Sequence, residues 1–131
     1  MMKRFLLVCF LFAATCTPYF TQPATAQTAP TPTTSAAFTA KINLLDSYIA
    51  SGDMTDAQST WTDVHNMMKN ILSVTKYSIY TAATPADKTT YQGIMNNQST
   101  IYFQVWNLKN NLAANRADLH TKLVAFGATI Y

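Results

Sequence analysis

The sequence predicts an all-α protein, an antiparallel up-down-up-down four-helix bundle. Three observations predict it. Apolar residues recur at steps of three and four along four segments, the spacing of one helix face. Turn and cap residues separate those segments at Gly52-Asp53, Thr84-Pro85 and the cluster Asn110, Asn111 and Asn115. No stretch shows the strict alternation or hairpin turn of paired strands. Links this short favour antiparallel neighbours.

The first 26 residues read as a secretory signal peptide. Met1-Met2-Lys3-Arg4 is a basic start, Phe5 to Ala14 is an unbroken apolar run of ten, and Ala24-Thr25-Ala26 is a small-x-small cleavage site. A membrane-spanning helix needs about 20 apolar residues, so ten are too few for a permanent anchor. The alternative is a membrane-tethered lipoprotein acylated on Cys16, for which Ala13-Ala14-Thr15 is a poor lead-in. Cleavage after Ala26 removes both cysteines, Cys9 and Cys16, and the remaining chain then relies on packing without disulfides.

Residues 27–34 (QTAPTPTT) form a Pro/Thr-rich linker, expected to be a flexible extended spacer. The helical bundle domain occupies residues 35–131. Its first helix is expected over Ser35–Ser51, with Phe38, Ile42, Leu45 and Ile49 on one face and Gly52 as the left-handed stop. Asp53 caps the second helix, whose apolar face carries Ala57, Trp61, Val64, Met68, Ile71, Leu72 and Ile79 and runs to about Ala82. Thr84-Pro85-Ala86-Asp87 opens the third: a cap, a proline at the first helical position and an acid in the first turn. Tyr91, Ile94, Met95, Ile101, Tyr102, Val105, Leu108 and Leu112 share its core side.

The last boundary has two readings. Val105, Leu112, Leu119 and Phe126 keep a seven-residue spacing, which suits a three-helix bundle with one long C-terminal helix. The asparagine cluster favours a break, with Asn115 as N-cap and Asp118 in the first turn of a fourth helix.

Composition excludes some functions. The chain has nine Lys plus Arg against six acids, all Asp. Loss of Lys3 and Arg4 with the signal leaves seven bases against six acids, spread singly along the sequence, and no nucleic-acid partner is expected. Removing 26 of 131 residues leaves 105, enough for one domain with its own core.

The chemistry-bearing residues are sparse. His65 and His120 sit at the borders of apolar faces and are the weak metal candidates, with Met68, Met95, Asp63 or Asp118 as conceivable co-ligands. No His, Glu pair stands at ligand spacing and no Cys-x-x-Cys-His occurs, so neither a metal nor any other cofactor is expected. Met67, Met68 and Met95 suit gap-filling in a core better than a copper site. There is no nucleophile motif and no phosphate-cradling glycine loop among three glycines, so the chain is not expected to be an enzyme. Tyr77, Tyr80, Phe103 and Trp106 fall off the core stripes and are the candidate binding residues, expected to form a joint patch if the second and third helices are neighbours.

Leu45-Asp46-Ser47-Tyr48, Gly52-Asp53, Ala57 and Trp61 resemble the turn and second helix of a tetratricopeptide repeat. The resemblance covers under a fifth of the chain after the signal and has no second copy at the family's period. A lone repeat cannot bury its own face, and no peptide-binding function is carried over.

These features point to a small exported helical bundle with an interaction or structural role in a bacterial envelope, contacting another envelope or extracellular protein or a polysaccharide. A periplasmic ligand-, metal- or haem-binding bundle is the alternative. Apolar residues off the main stripes, such as Leu44, Val74 and Val124, leave self-association open.

Overall fold

The helices form where the sequence places its caps. In the computed structural model, which describes residues 28–131, α1 spans Ser35–Ser51, α2 Met54–Thr81, α3 Pro85–Leu108 and α4 Arg116–Gly127. Each helix packs on its chain neighbours and α1 packs on α4, closing an up-down-up-down ring. The segment expected to be a signal peptide, 1–26, with its expected cleavage site, Cys9 and Cys16, lies outside the described residues. No described helix is long and apolar enough to cross a membrane.

Backbone groups freed at the helix ends find local partners. The Thr34 hydroxyl accepts from the Ala37 N–H, Asp53 from Asp56, and Thr84 from Asp87 while donating to the Asp87 carboxylate at 2.7 Å. Gly52 takes φ 78°, and the N–H groups of Gly52 and Asp53 bond back to the carbonyls of Ile49 and Tyr48. This pair of crossed bonds ends α1 in a conformation that would strain any residue with a Cβ.

The chain breaks after α3, which overturns the single long C-terminal helix. Lys109–Asn111 form one 3₁₀ turn before α4 starts at Arg116. Asn115, however, does not cap α4. Its side-chain amide donates to the Leu108 carbonyl at 3.2 Å, closing the end of α3, while the Asn111 side chain accepts from the Ala114 N–H. The seven-residue spacing survives the break, since Val105, Leu112, Leu119 and Phe126 are all buried in one core. The register there belongs to the shared interior and does not require a continuous rod.

The core is dense where all four helices overlap. Phe38, Ile42 and Leu45 from α1 meet Val64 and Met68 from α2, Val105 from α3, and Leu119, Leu123 and Phe126 from α4. Phe38 and Phe126 pack ring to ring at 5.6 Å. At 1.5 Å per residue the 28-residue α2 is about 42 Å long, whereas the 17-residue α1 is about 25 Å. The pairing of Thr33 with Asn70 places the start of α1 opposite residue 70; the C-terminal Tyr131 still covers α2 and α3 at Ser78 and Tyr91, and beyond these the end of α2 and the start of α3 extend as a hairpin. For this reason Ile79, Tyr91, Ile94 and Met95, expected in the core, are only half-buried.

The expected free spacer is partly fastened. The Asn70 side-chain carbonyl accepts from both the backbone N–H and the hydroxyl of Thr33, and its amide donates to the Thr31 carbonyl at 3.0 Å. One asparagine supplies both donor and acceptor, which lets it hold an extended segment whose own backbone has no ladder partner.

Candidate functional site

His65, on α2, sits among aromatic rings contributed by its own helix and by α3. Trp61 precedes it by one turn and stacks at 6.1 Å between centroids; Tyr102 and Trp106, one turn apart on α3, approach at 5.2 and 4.7 Å. His65 Nε2 is 2.6 Å from the Tyr102 hydroxyl. That contact holds in either tautomer of a neutral ring, Tyr102 donating to Nε2 or Nε2–H donating to the hydroxyl. Burial pushes the imidazole below its ordinary pKa, and the charges of Lys69 and Lys109 push it the same way. A neutral, hydrogen-bonded His65 therefore acts as the inner layer of an aromatic stack.

The outer layer reaches water. Trp106 is 38% exposed and carries the Lys109 ammonium 3.3 Å from its ring centroid. Phe103, edge-on to Tyr102, is 64% exposed. A phenylalanine on the solvent side of a helix gains nothing from burial unless something covers it, and here it adjoins a second half-exposed aromatic.

Of the four binding candidates, the structure brings Phe103 and Trp106 together and leaves Tyr77 and Tyr80 elsewhere. The His65–Tyr102 bond sets the register of α2 against α3. Tyr77 lies twelve residues farther along α2, about 18 Å from that point. Tyr80 is 68% exposed on the projecting hairpin, and Tyr77 is half-buried. Antiparallel packing puts the end of α2 beside the start of α3, so the expected joint patch becomes two aromatic sites at opposite ends of one face.

The two histidines also belong to different places. His120, on α4, faces α1, where its Nδ1 lies 4.0 Å from Asp46 Oδ1 and is buried without a closer partner. Arg116 grips the same carboxylate with two 2.8 Å bonds, and these hydrogen bonds hold the Asp46 carboxyl below its usual range. Among the described residues no three His, Cys, Asp or Glu side chains converge on a point where an ion would sit. Met68 is fully buried in the core, Met67 packs at its edge, and Asp63 and Asp118 bind Lys41 and Lys122.

One buried polar group has no warning in the sequence. Gln98, on α3, is completely buried; its amide N–H reaches the Thr129 carbonyl only at 3.5 Å, and its Oε1 has no partner among the described residues. It lines a partly open pocket of about 20 Å³, shared with Pro32, Thr33, Ile130 and Tyr131, a space of single-water size. A glutamine inside the polar stretch Asn96-Asn97-Gln98-Ser99-Thr100 gives no sign of which way it will turn.

Comparison with protein-family models, with curated proteins and with solved structures returned no match. The class of molecule is therefore defined by its own coordinates: an all-α four-helix bundle whose α2/α3 face bears a layered aromatic–histidine cluster.

Proposed function

We propose that this chain is a small exported, non-catalytic interaction protein of a bacterial envelope, and that it makes contact through the α2/α3 face. The observation that carries this reading is the exposed Phe103 and Trp106 resting on the layer of buried Trp61 and His65 and half-buried Tyr102. Rigid aromatics held from behind lose little freedom when a partner covers them, which is why such residues dominate the energy of many interfaces. The N-terminal basic-apolar-small pattern supports export. The four-helix core supports a contact surface that needs no partner in order to fold.

Affinity capture from a solubilised envelope fraction tests the proposal. The Phe103→Ser chain is expected to retain its helical circular dichroism and lose the captured component. Leu44→Ser, at an exposed position on α1, is expected to retain it. Equal capture by the wild-type and Phe103→Ser chains would overturn the assignment of the contact to this face.

A further inference from the structure

Charge is sorted between the two sides of the bundle. Every base on α1 and α4 is paired: Lys41 with Asp63, Arg116 with Asp46, and Lys122 with Asp118, at 2.8–2.9 Å. Lys69, Lys76, Lys88 and Lys109 have no ion pair among the described residues, and all four lie on α2, α3 or the turn that follows α3.

Helical register lines them up. Lys69 follows His65 by four residues, Lys76 follows Lys69 by seven, and Tyr80 follows Lys76 by four, which keeps them along one edge of α2. On α3, Lys88 and Trp106 are eighteen residues apart, five full turns, and so lie on the same side about 27 Å from each other. The His65–Tyr102 contact sets these two edges side by side. The nearby acids are turned away or already engaged. Asp56 is nine residues from His65, half a turn round α2; Asp63 reaches towards α1; Asp53 and Asp87 serve the helix starts.

We infer that the partner of this face is an anionic lipid surface, with lysines meeting headgroup phosphates and Phe103, Trp106 and Tyr80 entering the headgroup–acyl boundary. The inference rests on the reading of the α2/α3 face as the contact surface and names what it contacts. A soluble polyanion would use the lysines alone and leave three exposed aromatics unexplained. A bilayer offers anionic charge and an apolar boundary in one plane, and aromatic rings with lysines are the side chains that settle there. The contact lies on the membrane and not across it, since no described helix could span one.

Co-sedimentation of the purified chain with lipid vesicles tests this. Binding is expected to equimolar phosphatidylglycerol–phosphatidylcholine, to be absent on phosphatidylcholine alone, and to fall steeply with added salt. Lys69→Gln and Lys109→Gln are each expected to weaken it about fivefold, the factor for one lysine at an anionic surface, whereas Lys122→Gln leaves it unchanged. Phe103→Ser is expected to weaken it without loss of helical signal. No binding to the mixed vesicles, or equal binding to both kinds, overturns the inference. Tight binding to soluble polyphosphate without vesicle binding overturns it in favour of a polyanion. If vesicle binding fails while envelope capture still depends on Phe103, the contact face stands and the lipid falls. If vesicles bind but Phe103→Ser and both lysine variants bind equally well, the lipid contact lies elsewhere and the inference for this face is overturned.

Discussion

On the α1/α4 side of the bundle each base has an aspartate at 2.8–2.9 Å, and the interior behind it holds Phe38 against Phe126. On the α2/α3 side four lysines stand without acids, and the layer beneath them is aromatic and partly wet. One side has its lysines and arginine paired within the molecule, although His120 Nδ1 there has no close partner among the described residues. The other leaves its lysines without acids and exposes the aromatic rings of Tyr80, Phe103 and Trp106, whereas α1 and α4 expose the aliphatic Leu44 and Val124; charge beside aromatic area suits a surface that meets something else. Exposed ion pairs add at most about 1 kcal/mol each, so the paired side is not thereby much more stable. The contrast concerns what each surface can still bind.

The largest expected effect tests the structural side. Phe126→Ala removes a fully buried ring from the pair with Phe38 and should cost about 3–5 kcal/mol in urea denaturation. A loss below about 1 kcal/mol would mean that the packing around α4 is not what holds the ring closed. Next in size is Gly52→Ala. Its φ of 78° places a new Cβ in the left-handed region and should cost about 1 kcal/mol, read from the same unfolding curves, without changing vesicle binding.

Acid sharpens the comparison, because each side carries one perturbed group that titrates in the acid range. His65 has a lowered pKa in the fold, so the unfolded chain takes its proton first and stability falls as pH drops below about 6.5. Asp46 also has a lowered pKa, and its contribution is lost as pH falls from about 4 downward. Thermal melts across pH are expected to show two steps, the upper one absent in His65→Gln and the lower one absent in Asp46→Asn. A single step unaffected by His65→Gln would show that the aromatic layer does not keep its imidazole neutral. The smallest stability effect belongs to Phe103→Ser, within about 0.5 kcal/mol of wild type despite the loss of contact expected above. A large loss of stability there would make Phe103 part of the core and remove it from the binding face.

The tertiary structure separated residues that the sequence leaves looking alike. Tyr80 and Phe103 both fall off a core stripe, yet antiparallel packing sends them to opposite ends of the α2/α3 face. His65 and His120 both border an apolar face, yet one enters a ring stack and the other turns to Asp46. Asn115 has the composition of an N-cap and instead bonds backwards to Leu108, because the tight turn brings that free carbonyl within its reach. Gln98 was illegible altogether, since a polar residue announces burial only through partners that other parts of the chain supply.

What the sequence by itself determined was local: four helices, three of their caps, the left-handed stop at Gly52 and most of the apolar stripe. These depend on backbone bonds and side-chain spacings that span only a few residues. What only the tertiary structure decided was how far α2 and α3 outrun α1, how each helix is rotated, and which lysines are left without an aspartate. Those outcomes depend on pairings between residues 20 to 70 positions apart, such as Lys41 with Asp63 and Arg116 with Asp46, and no local rule specifies which side chains a packed neighbour will bring.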